Sequence, residues 1–155
     1  MVKERIIFFI NRKINFFISI ILKMKKIKVF LVDNDEDELL FMKDGFESTG
    51  LFDVIGIASD GEELFERITH PPLPDLIVSD FNMPRKNGID IAKGIHNNRA
   101  FSHIRVILLS ISQPISFKQQ FPDAGAHAYF AKPERFNEYD PFARKIYDKV
   151  VLNLI

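Results

Sequence analysis

From Lys26 onward, short β-rich apolar runs alternate five times with helical patterns. The runs cover 27–32, 53–58, 76–78, 106–109 and 128–131. Most are continuous in Val, Ile, Leu, Phe or Ala, the texture of strands covered on both faces. The first helical pattern spans Asp35 to about Thr49, with Leu39, Met42 and Phe46 on one face, and Gly50 stops it. The second follows Asp60-Gly61 and carries Leu64, Phe65 and Ile68, until Pro71, Pro72 and Pro74 forbid its continuation. The third carries Ile89, Ile91, Ala92 and Ile95. A weaker one follows the fourth strand and breaks near Pro122, and the last carries Phe142, Ile146 and Val150. Strand–helix units in succession require crossovers, so the expected class is α/β: a doubly wound, five-stranded parallel sheet with helices on both faces.

One domain of ordinary size fits 155 residues, and nothing long enough for an output domain follows the last helix; a stand-alone domain is expected. The absence of Cys excludes disulfides, zinc–thiolate sites and cysteine catalysis. Lys+Arg and Asp+Glu both number 21, which disfavours a generally basic nucleic-acid binder. The four histidines, His70, His96, His103 and His127, share no metal spacing.

The neutral total conceals an uneven distribution. Residues 1–23 carry five basic side chains against Glu4 alone. The apolar stretch 6–22 would be about 25 Å long as a helix, short of a hydrocarbon core of about 30 Å. Arg12 and Lys13 interrupt it, and no small-residue cleavage site follows, so neither a membrane span nor a signal peptide is expected. Asn11, Asn15, Ser19 and Lys23 recur every fourth residue, a narrow polar stripe beside a wide apolar face. Such a helix suits contact of residues 6–22 with a membrane surface or a partner. The competing reading is an upstream start codon selected in error, because Met24-Lys25-Lys26 leads directly into the first strand. The boundaries expected are 1–24 for the extension and 25–155 for the domain.

In an open parallel sheet, chemistry sits beyond the carboxyl ends of the strands. Those ends present Asp33-Asn34-Asp35 after the first strand, Asp80 after the third, Ser110 after the fourth and Lys132 after the fifth. Acids crowded together repel unless a cation joins them. A hard cation such as Mg²⁺ takes oxygen ligands, Lys132 offers a point charge to an anionic oxygen, and Ser110 offers a hydroxyl. The set suits a phosphoryl group carried on a carboxylate nucleophile.

At these residues the chain resembles the response-regulator receiver family of two-component signalling. The matching pieces are Leu31-Val32-Asp33-Asn34-Asp35, Val78-Ser79-Asp80-Phe81-Asn82-Met83-Pro84 with Gly88 beyond, Leu109-Ser110, and Tyr129-Phe130-Ala131-Lys132-Pro133. They cover about residues 26–152. The resemblance implies a flavodoxin-like strand order of 2-1-3-4-5. It implies that Asp80 accepts phosphate from a histidine kinase or phosphotransfer protein, and that Asp33, Asn34, Asp80 and the Asn82 carbonyl hold Mg²⁺. It assigns Ser110 and Lys132 to the phosphoryl oxygens and Tyr129 to an aromatic switch. The implied protein is a cytoplasmic signalling switch rather than an enzyme. Its output is a downstream protein target, met through the surface of the weak helix, the fifth strand and the last helix.

The chain departs from the family at two positions. Asn34 stands where a second acid is usual, and Ile111 where a small residue is usual. Asn34 is open between metal ligand and helix N-cap, and Asp35 between cap and replacement ligand. Ser110 could serve only backbone groups, and Tyr129 could be sheet-edge packing. The alternative function is a pseudo-receiver, a binding module independent of phosphorylation. A hydrolase with an aspartyl nucleophile would want an acid two residues after Asp80, where Asn82 stands. No Gly-rich loop follows the first strand, which disfavours nucleotide binding.

Overall fold

The structure is a computed structural model that describes residues 1–24, 26–111 and 122–152. A helix α1 (Val2–Met24) precedes the domain. The domain then runs β1 (Ile27–Val32), α2 (Glu36–Ser48), β2 (Phe52–Ala58), α3 (Gly61–Arg67), β3 (Leu76–Asp80), α4 (Gly88–His96), β4 (Arg105–Ser110), β5 (Ala128–Ala131) and α5 (Tyr139–Val151). The weak helix expected before Pro122 lies outside the described residues. After it, Pro122–Ala124 form one 3-10 turn.

All strand pairings are parallel, in the order β2-β1-β3-β4-β5. This is the order that the family resemblance implies, with β3 in the middle and β1 and β4 on either side of it. Alternation along β1 divides the core. Val29 and Leu31 join Leu39, Met42 and Phe46 of α2 and Ala143 and Ile146 of α5. Phe30 and Val32 join Leu64 of α3 and Ile91, Ala92 and Ile95 of α4. Among the described residues, each face of the sheet is thus covered by two helices.

Helix ends are set by local chemistry. Asp35 caps α2, its Oδ1 accepting from the N–H groups of Asp37 and Glu38. Gly50, at φ 68°, ends that turn in the left-handed region. Asn87 and Asp90 form a reciprocal capping box on α4. Along α1, the apolar side chains Ile6, Phe8, Phe9, Phe16 and Phe17 are exposed. No helix among the described residues is long and apolar enough to cross a membrane.

Candidate functional site

Parallel pairing brings the strand ends to one edge. Val32 pairs with Ser79, Asp80 with Leu109 and Ser110 with Ala131. The next residues along, Asp33 and Lys132, therefore emerge beside Asp80 and Ser110. Backbone bonds continue the sheet past its formal ends: Phe81 N–H donates to Leu109 O at 2.7 Å, and Lys132 N–H to Ser110 O at 3.0 Å.

A pocket of about 210 Å³ opens there, lined by Asp33, Asn34, Asp35, Asp80, Asn82, Ser110, Ile111 and Lys132. Six of the seven residues expected from sequence meet in it. The seventh, Tyr129, does not line it. Tyr129 pairs in register with Leu108 and packs half-buried against the core under α3 and α4. Ile111 stands at the mouth, 84% exposed, so its bulk is turned largely to solvent.

The acids are deeply set, with Asp33 1% and Asp80 6% exposed. Asp33 Oδ1 accepts from Asp35 N–H at 3.0 Å, and its Oδ2 lies 2.6 Å from Lys132 Nζ. Asp80 Oδ2 accepts from Asn82 N–H at 3.0 Å. Lys132 Nζ also lies 3.8 Å from Asp80 Oδ1 and 3.7 Å from Glu38 Oε2. Burial, reinforced by the Asp33 charge, pushes the Asp80 carboxyl up to about 6 despite the pull of Lys132. Burial alone would lower Lys132, but the hydrogen bond and charge of Asp33, with Asp80 and Glu38 behind it, hold its pKa above the usual range.

Among the described residues, no cluster of three or more His, Asp or Glu side chains is arranged to hold a metal. Of the expected ligands, Asp33 and Asp80 are carboxylates, and Asn34 lines the same pocket. With the Asn82 carbonyl this is an oxygen-only donor set, which fits a hard cation in chemistry though not in full charge. The capping alternative for Asn34 is excluded, because Asp35 holds the N-cap. Asp35 lines the pocket, but its Oδ1 is committed to the helix.

Sequence reasoning missed four residues around this pocket. Glu38 is not singled out by the sequence, yet it approaches Lys132 and accepts from the Tyr139 hydroxyl. Tyr139 is 101 residues away in sequence, so no local pattern signals the pair. Asp60, 1% exposed, caps α3 and pairs with Arg85. Arg85, at φ 61°, lies in the loop that carries Asn82. Only the Asp60-Gly61 turn was visible beforehand.

A family model for the response regulator receiver domain matches residues 29–140. The chain is 32% identical over 109 residues to the probable chemotaxis protein CheY of Rhizobium etli, covering 70% of this chain and 83% of that protein. It is 32% identical over 108 residues to the transcriptional regulatory protein PdtaR of Mycobacterium tuberculosis. That match covers 68% of this chain and 51% of the relative, so the chain spans about half of its length. Among solved structures, the CheX–CheY–BeF3–Mg complex from Borrelia burgdorferi matches with a TM-score of 0.65 at 24% identity, covering 83% of this chain and 90% of that one. Strand order, strand-end chemistry and family match agree: the chain belongs to the response regulator receiver domains of two-component signalling.

Proposed function

We propose that the chain works as a phosphorylation-dependent receiver. Asp80 accepts a phosphoryl group from a histidine kinase or phosphotransfer protein, and the new charge alters a surface that binds a downstream protein. The observation that carries this reading is the meeting of Asp80, Asp33 and Lys132 in one small pocket, with Lys132 Nζ 3.8 Å from Asp80 Oδ1. The receiver unit is 25–155, with 1–24 as an extension, and its donor would place it in the cytoplasm.

With its carboxyl at about 6, Asp80 is mostly ionised at neutral pH and can act as a nucleophile. Attack of a carboxylate oxygen on a phosphohistidine forms a P–O bond and breaks the P–N bond. The released imidazole nitrogen takes a proton from water. Lys132 turns from Asp33 toward a phosphoryl oxygen, and the Ser110 hydroxyl donates to another. Tyr129 repacks as Ser110 moves, which carries the change to β5 and α5. Asp33, Asn34, Asp80 and the Asn82 carbonyl would hold Mg²⁺. When bound, it supplies positive charge against the phosphoryl oxygens.

The pseudo-receiver reading is favoured by one observation, the amide of Asn34 in the pocket beside Asp33 and Asp80, at the position where the family usually has an acid. Incubation with a small phosphodonor and Mg²⁺, followed by intact mass, separates the two. A receiver gains one phosphoryl group, and Asp80→Asn abolishes the gain. A pseudo-receiver gains none.

A further inference from the structure

Lys132 is touched from a side that the phosphoryl chemistry does not use. Tyr139 opens α5 and is 1% exposed, and its hydroxyl donates to Glu38 Oε2 in the first turn of α2. The same Oε2 lies 3.7 Å from Lys132 Nζ. Three carboxylates, Asp33, Glu38 and Asp80, therefore surround one ammonium, and one of them is also held by a phenol. The phenol has little freedom. Helices α2 and α5 approach so closely at Gly45 that an added Cβ would collide with Tyr139 Cβ and lie 2.9 Å from the Tyr139 backbone carbonyl carbon. The tyrosine is anchored by backbone packing, and its hydroxyl reaches back to the pocket.

We propose that Tyr139 and Glu38 are positioning residues for Lys132: the Tyr139 hydroxyl holds the Glu38 carboxylate back, leaving the ammonium free to swing to the phosphoryl group on Asp80. This rests on the proposed phosphorylation of Asp80. The physical ground is competition for one cation. A carboxylate that accepts a strong hydrogen bond has less pull on a neighbouring ammonium than one without that donor. Without the phenol, Glu38 would close the 3.7 Å gap and draw Lys132 away from the nucleophile. Burial and the Glu38 bond raise the Tyr139 hydroxyl far above the usual phenol range, so it remains a donor throughout the neutral range.

The test is the rate of phosphoryl loading from a small phosphodonor with Mg²⁺ on the full chain. Tyr139→Phe keeps the ring and removes the donor, and loading should slow about five- to tenfold. Glu38→Gln, at a partly exposed position, should load at least as fast as wild type. The double variant should return to within about twofold of wild type, which a loss of packing alone would not allow. Wild-type loading by Tyr139→Phe, or a double variant as slow as the single, overturns the proposal. Should wild type take no phosphoryl group, the proposed function fails, and the pair is decided separately by the Lys132 ammonium resonance in ¹⁵N NMR. That resonance should move in Tyr139→Phe and return in the double variant; an unmoved resonance overturns the pair. Should Tyr139→Phe not fold, Glu38→Gln decides: loading slower than wild type contradicts a competing carboxylate.

Discussion

Lys132 Nζ sits 2.6 Å from Asp33 Oδ2 and 3.8 Å from Asp80 Oδ1, so the ammonium is held by Asp33 rather than by Asp80. Removing it leaves buried carboxylates facing one another. Lys132→Met, which keeps the apolar stem, should destabilise the metal-free protein by about 3 kcal/mol, the scale for breaking one side of a buried pair. Saturating Mg²⁺ should recover part of the loss. Thermal unfolding with and without Mg²⁺ checks both; an unchanged transition would mean the pair contributes nothing.

Asp80 gives a pH dependence of defined sign. Its carboxyl rises from 3.8 to about 6 on folding, so ionisation costs stability. The contribution is favourable at low pH, is lost as pH rises from about 4 to about 6, and stays lost above. Asp80→Asn should therefore exceed wild type by about 3 kcal/mol at pH 7.5 without Mg²⁺, at roughly 1.4 kcal/mol per pKa unit. The gap should close near pH 4. Denaturant titrations between pH 4 and 8 measure it.

Asn34→Asp adds a charged oxygen donor to a set with only two carboxylates. A gain of about 1.4 kcal/mol after hydration and screening is roughly tenfold in Mg²⁺ affinity. The metal-free variant should be less stable through repulsion with Asp33 and Asp80, so its gain on adding Mg²⁺ should exceed that of wild type. Calorimetric titration of both proteins at one ionic strength decides it. Equal affinity would show either that Asp35 already supplies the charge or that position 34 faces away from the ion, and Asp35→Ala in the Asn34→Asp background separates the two: lost binding points to Asp35.

Gly45→Ala pits helix propensity against collision. Alanine favours the helix by about 1 kcal/mol. The new methyl, however, meets the Cβ and backbone of Tyr139 and the Asp140 nitrogen at 3.2 Å, where the helix ends are packed. Overpacking of this kind costs roughly 1–3 kcal/mol, so a net loss of stability is expected. A higher melting temperature would show that α2 and α5 can move apart freely.

A chain beginning at Met24 should fold. Both core clusters draw their buried residues from Ile27 onward, and the described apolar side chains of α1 face outward. A cooperative thermal transition is expected. An aggregated product would show that α1 packs into the domain.

The sheet and most of the pocket were legible because parallel pairing converts sequence position into space. A residue at a strand's carboxyl end must lie at one edge, so Asp33, Asp80, Ser110 and Lys132 come together from the sequence alone. Asp35 shows the limit of that logic. Acid beside acid at a strand end reads equally well as ligand or cap, and the cap is visible only in the two N–H groups that donate to its Oδ1. Glu38 and Tyr139 were invisible because their meeting depends on how closely two helices approach, and a small residue at position 45 sets that distance. The Asp60–Arg85 pair was hidden likewise. It needs a left-handed residue in the loop after Asp80, at a position where the sequence has Arg rather than Gly.

That ion pair has a mechanical consequence. Arg85 pins the loop carrying Asn82 to the cap of α3, and Gly61 N–H donates to Lys86 O at 3.1 Å within the same clamp. On this flank the pocket is stapled to the body of the domain. Opposite it, Lys132 is shared among three acids and has somewhere to go. The pocket is therefore built like a vice, with one jaw tied to α3 and the other ending in an ammonium shared by three acids.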